Sequence, residues 1–226
     1  LMQIEALFLG QAGLLDIAAI PERYQQQALN DSYFTELKSE YQYLVHKFSL
    51  QAMDANQWRF LRLRPQNFPH IRIAQLAHLY YEQRAGLSQL LECESVKQVR
   101  ELLATQVTRY WETHYVFGEK SAKSEKKLSA ASLNLQIINT VAPILFAYGK
   151  HKNSEKYCER AFDFLETLKA EENHIVRMWK EVGLMVETAA DSQALIQLKK
   201  EYCDRKDCLR CRIGYEYLKG SSSIKG

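Results

Sequence analysis

Residues 57–82 read QWRFLRLRPQNFPHIRIAQLAHLYYE, and the rest of the chain is best understood from this stretch. Leu61-Arg62-Leu63-Arg64 alternates apolar and cationic residues, the period of a short extended segment with one buried face. Arg62 and Arg64 would then share the other face. Pro65 disfavours helix at Arg64, and Gln66-Asn67 reads as a turn. Pro69 stands where a first helical residue tolerates a missing N–H, with Asn67 as a cap one position early. From there Ile71, Ile73, Ala74, Leu76, Ala77, Leu79 and Tyr80 recur at mostly helical spacing and form one broad apolar face. The stretch predicts an irregular, proline-bounded elbow feeding an amphipathic helix.

Arg59, Arg62, Arg64 and Arg72 crowd this elbow, with Asn67 among them. A guanidinium is a planar fork that donates paired hydrogen bonds to phosphate or carboxylate. Convergence of these side chains would make an anion-binding site, with nucleic acid as the macromolecular form of the ligand. The competing reading ties the same arginines to the chain's own carboxylates and helix-end carbonyls. Trp58, Phe60, Phe68, Tyr110 and Trp111 could serve as stacking platforms for single-stranded nucleic acid, or simply as core.

A chain of 226 residues can bury a substantial core. Nine glycines and four prolines are few, which favours helices over a turn-rich β fold. The formal net charge of +3 is too small to imply nucleic-acid binding by itself. Its distribution says more. Residues 56–84 carry five arginines against Glu82 and residues 199–226 carry eight Lys/Arg against four Asp/Glu, so two basic patches sit on an acidic remainder. No run of about 18 apolar residues suggests a membrane span. Five irregularly spaced cysteines argue against a secreted disulfide scaffold, and the expected compartment is the cytoplasm. The chain begins at Leu1, which raises the expectation that it is the C-terminal part of a longer protein and partners an N-terminal domain.

Helical patterns dominate. They cover 3–15, with Gly10 and Gly13 allowing close helix approach, and Tyr33–Phe48, capped by Asp31 or Ser32. Further patterns cover Leu87–Leu91 and then Val96–Val107, capped by Ser95. The aromatic run 110–118 reads as a loop or short helix, and 119–127 as an exposed loop. A helix from Ser129 to Gly149 is apolar nearly all round, hence central and buried, and is kinked or divided by Pro143. Helices follow over 154–169, Glu172–Val182, Gln193–Tyr202 (capped by Asp191 or Ser192) and Cys208–Leu218. The expected fold is all-α: an irregular, compact multi-helix bundle with one short extended proline-containing segment. It is expected to form a single domain over 1–220, with a disordered tail at 221–226.

Cys203, Cys208 and Cys211 have a C-x4-C-x2-C spacing that suits zinc or an iron–sulfur cluster. Cys158, His151 or His174 would have to complete the set. The alternative is three cysteines packed as small hydrophobes. The histidines form no ligand pair, and Glu171-Glu172-Asn173-His174 reads as a polar helix start. There is no P-loop, dinucleotide fingerprint or nucleophile elbow, so no catalytic residue is assigned.

Six segments together resemble a bacterial domain-of-unknown-function family, number twenty-eight fifty-one, found mainly in Bacteroidetes. They are EALFLGQAGLL (5–15), the W-x-F-x-R-x-R-P-x-N-F-P-x-x-R-I-A-Q-L-A run (58–77), YWETHYVFG (110–118), NTVAPILFAYGK (139–150), DSQALIQLKKEYC (191–203) and CLRCRIG (208–214). Full members look longer at the N-terminus, so the resemblance implies their C-terminal helical part. It transfers no mechanism. The resulting expectation is a non-enzymatic binding module with an arginine-lined anion surface. The alternatives are a metal-containing domain or a scaffold for another domain of the same protein.

Overall fold

A computed structural model describes residues 1–84 and 86–222. The fold is all-α: helices follow one another along the chain, and a two-stranded hairpin is the one sheet among the described residues. The chain divides into two units, one of residues 1–92 and 100–133, the other of 93–99 and 134–226.

The first unit is built on α1 (Met2–Gln11), α2 (Glu22–Leu29), α3 (Ser32–Phe48) and α4 (Pro69–Tyr81). Helix α1 packs against both α3 and α4. It is shorter than the periodicity over 3–15 suggests, because Gly13 takes a left-handed conformation (φ +71°) and turns the chain. Gly10 does permit close approach: a Cβ there would lie 2.2 Å from the ring of Tyr41 on α3. Asp31 caps α3 as expected, its carboxylate accepting from the Tyr33 N–H at 2.9 Å.

After α4 come α5 (Leu87–Glu92), α6 (Val96–Leu103) and α7 (Arg109–Glu112), then β1 (His114–Val116) and β2 (Glu119–Lys120). The aromatic run 110–118 is therefore half helix and half hairpin. Gly118 makes the reversal (φ +77°), and a Cβ there would meet the Tyr24 carbonyl at 2.5 Å. The segment 119–127 is not a uniformly exposed loop. Lys126 is buried, donating to the Glu112 carbonyl at 3.0 Å with its ammonium 4.0 Å from the centre of the Tyr115 ring.

From residue 130 one helical run joins α8 (Ala130–Gln136), a π-helical turn (Ile137–Val141) and α9 (Ala142–Lys152). Pro143 neither breaks nor sharply divides it. Its missing N–H would orphan the carbonyl four residues back, and the π turn shifts the hydrogen-bond register just before it. The run is not buried all round. Ile137, Ile138, Val141, Ala142 and Leu145 are buried, but Leu135, Ile144 and Phe146 face solvent. Joined as one helix, Ala130–Lys152 is long and apolar enough to cross a membrane by length and composition alone.

Gly149 does not end this helix. Asn153 does, in the left-handed conformation (φ 51°). Gly149 instead admits α10 (Glu155–Thr167): a Cβ would lie 2.7 Å from Cys158 Sγ and 2.9 Å from the Ser154 carbonyl. Next are α11 (His174–Glu181), capped by Asn173, and α12 (Ala189–Leu198). The latter starts four residues before its expected start, because Thr188 and Asp191 form a reciprocal capping box. A π turn at Lys199–Cys203 leads to α13 (Arg212–Ser222). The tail expected at 221–226 lies, from residue 223, outside the described residues.

Gly10→Ala tests the α1–α3 approach. Alanine's helix propensity favours the substitution by about 1 kcal/mol, but the clash with Tyr41 should outweigh it and destabilise the protein by about 2 kcal/mol in urea denaturation. The double variant Gly10→Ala/Tyr41→Ala should recover part of that loss relative to Tyr41→Ala alone. Simple additivity would show that the two residues do not press on each other.

Candidate functional site

The organising stretch forms a tight turn. The Leu63 N–H donates to the Phe60 carbonyl at 3.1 Å, and Arg62 is left-handed (φ 65°). A non-glycine residue in that region carries strain of roughly 1–2 kcal/mol. The turn corrects the expected alternation: residues 61–64 do not run as one extended segment with Arg62 and Arg64 on a common face, and Leu61 is 85% exposed. Pro65 acts as expected, with Arg64 extended (φ −68°, ψ 142°), and a 3-10 turn over Pro65–Asn67 follows. Pro69 is the first residue of α4, but its cap is Phe68, not Asn67.

Three of the four arginines are on the surface. Arg59, Arg62 and Arg64 are exposed, and none has an ion-pair partner among the described residues. Arg72 is different. It is half-buried and donates to Asn67 Oδ1 at 2.5 Å and Gln75 Oε1 at 3.0 Å. It braces the 3-10 turn to α4 through neutral amides, so no carboxylate neutralises it there. Arg84, the fifth arginine of the patch, pairs with Glu82 at 2.8 Å.

The same turn borders a cavity of about 340 Å³ in the first unit. Phe60 and Phe68, which flank the turn in sequence, both line it, with Tyr24, His70 and Phe117. The rings touch one another: Phe60–Phe68 at 5.3 Å, Phe60–His70 at 5.7 Å and His70–Phe117 at 5.4 Å between centroids. Arg23 and Glu119 are the charged lining residues. The Arg23 guanidinium lies 4.5 Å from the Tyr24 ring centre, and the Tyr24 hydroxyl donates to Glu119 Oε1 at 2.6 Å. Of the proposed platforms, Phe60 and Phe68 reach the cavity. Trp111 is fully buried core, and Trp58 donates through Nε1 to the Ala12 carbonyl at 2.8 Å.

His70 is 5% exposed, and among the described residues its buried Nδ1 has no hydrogen-bond partner. Burial pushes its pKa down to about 3, so the ring is neutral.

A second buried titratable group, Glu5 of α1, was not legible in the sequence. Glu5 is fully buried. It accepts a hydrogen bond from the Tyr33 hydroxyl, which also lies 2.9 Å from Thr108 Oγ1. Trp111 nearby favours the carboxylate, yet among the described residues neither Glu5 Oε1 nor Trp111 Nε1 has a hydrogen-bond partner. Burial outweighs these contacts and raises the pKa of Glu5 to about 7. Around it, Tyr33, Tyr110 and His114 stack in series at 4.3 and 4.0 Å, and the Tyr110 hydroxyl donates to the α3 cap Asp31 at 2.8 Å.

Among the described residues no group of three or more His, Cys, Asp or Glu is arranged to hold a metal ion. Cys203 and Cys208, on either side of a left-handed Lys206 (φ 55°), are exposed, while Cys211 is buried.

Glu5 and His70 give opposed pH dependences. The folded chain keeps the Glu5 proton above pH 4.5, so stability falls as pH rises from 4.5 to about 7. The folded chain denies His70 the proton that the unfolded chain takes below pH 6.5, so stability falls as pH drops from 6.5 to about 3. Each slope is about 1.4 kcal/mol per pH unit, and across the shared window they cancel. Glu5→Gln should therefore make stability rise with pH across that window by about 2–3 kcal/mol. His70→Phe should make it fall similarly. Urea denaturation at several pH values reads both, and parallel profiles for wild type and variants would remove the assignment.

The family described as Protein of unknown function (DUF2851) matches residues 1–174. That match takes in the arginine turn, the cavity and the Glu5 cluster, and ends before the 191–203 and 208–214 motifs. No curated protein and no solved structure matches the chain. With well over half of its length matched, the chain belongs to the DUF2851 family of proteins of unknown function.

Proposed function

We propose that this chain is a binding module whose turn at 59–64 receives an anionic ligand, with single-stranded nucleic acid as the macromolecular partner. The observation that carries this reading is the state of Arg59, Arg62 and Arg64: exposed, on one short turn, and free of ion pairs among the described residues. An internal brace would have its guanidiniums tied to carboxylates or carbonyls, as Arg160 is to the Cys93 carbonyl at 3.1 Å. Arg72 supports the site through Asn67, at the end of the 3-10 turn that follows it. Its charge, held by two neutral amide oxygens, adds to the positive potential while its position is fixed. Planar forks on a surface turn suit phosphate oxygens, which accept paired hydrogen bonds.

Binding of a single-stranded oligonucleotide to the full chain should weaken steeply with salt. Each phosphate neutralised contributes a slope of roughly −0.7 in log K against log salt. Arg62→Gln/Arg64→Gln should therefore flatten the slope by about 1.4 and weaken binding at low salt for all sequences alike. Absence of oligonucleotide retention at low salt would end the nucleic-acid reading.

A further inference from the structure

We infer that the cavity beside the arginine turn takes a single nucleobase carrying an exocyclic amino group, from a free nucleotide or from one nucleotide of a strand whose phosphates lie on the turn. The inference rests on the anion-binding reading for the placing of the phosphates and goes beyond it in assigning the cavity an occupant. Three features select this ligand. First, Tyr24, Phe60, Phe68 and Phe117 line the space, and its volume of about 340 Å³ is within the range of small-molecule sites. Aromatic faces favour a flat ring, because base and side-chain π-systems stack whatever the base.

Second, the cavity wall has a polar group that hydrocarbon would leave unanswered. Glu119 is an acceptor at the cavity wall, with lone pairs beyond the one used by the Tyr24 hydroxyl. A carboxylate there repels phosphate and prefers an amino group, the contact by which carboxylates accept from cytosine N4. Adenine, cytosine and guanine offer such a group, whereas uracil and thymine do not.

Third, the anion has a place outside. The residues between the lining rings Phe60 and Phe68 include Arg62 and Arg64, and Arg23 lines the cavity itself. A ligand whose flat end enters and whose charged end remains on the arginines has the chemistry of a nucleotide.

Calorimetric titration of the full chain with adenosine, uridine, adenosine monophosphate, inorganic phosphate, an oligoadenylate and an abasic oligonucleotide tests this. The expected order is adenosine monophosphate tighter than adenosine, and adenosine at least tenfold tighter than uridine. Val116→Trp, which fills the cavity, should reduce adenosine binding at least tenfold while leaving the abasic strand unaffected. Glu119→Gln, an exposed and conservative change, should narrow the difference between adenosine and uridine. Equal affinity for abasic and adenine strands, with no adenosine binding, overturns the cavity assignment and leaves the anion surface standing. Adenosine binding without any phosphate or strand binding supports the cavity and removes the anion surface. No binding of any probe removes both.

Discussion

The first unit depends on aromatic rings that cannot reach water. Trp111, Phe34 and Phe117 are fully buried and His70 nearly so, and they meet at centroid distances of 4.9–5.8 Å. They come from α3, the first turn of α4, α7 and the hairpin, elements far apart in the chain. Such ring pairs contribute about 1 kcal/mol each beyond the area they bury. Their larger effect is geometric. With Phe60 and Phe68 held against this cluster, the intervening residues must loop outward, and the loop carries the arginines.

Two titratable groups are enclosed in this core, with opposite consequences. His70 is kept neutral by its burial and lines the cavity without charge. Among the described residues Glu5 has only the Tyr33 hydroxyl as a hydrogen-bond donor, so burial dominates its ionisation. The polar stack of Tyr33, Tyr110 and His114 then ties the cap of α3 to the start of the hairpin through Asp31. Glu5 does not line the cavity, so its chemistry acts on stability.

In the second unit the constraint is space. Gly149 lets α10 approach α9 to a distance that no Cβ would permit, and Leu145, Ala161 and Phe164 pack in the interior. Arg160 shows how this fold saturates a buried guanidinium, through the Cys93 carbonyl, Glu94 and the Tyr157 ring. Against that standard the exposed arginines of the first unit stand apart.

Local sequence alone determined much of this chain. Proline geometry is a property of one residue and its neighbours, so the extended Arg64 and the helical start at Pro69 were both readable. So were the Asp31 cap and the all-helical character, which rest on periodicity and on few glycines and prolines. Tertiary structure decided the rest. Leu61–Arg64 alternates like a strand, yet among the described residues it has no partner strand, and the seating of Phe60 and Phe68 bends it into a turn. Gly149 looked like a stop signal because spacing cannot show the helix that crosses it. The buried state of Glu5 and the cavity around His70 were invisible because burial is created by residues distant in the chain. A carboxylate or an imidazole acquires its ionisation only from what the fold packs around it.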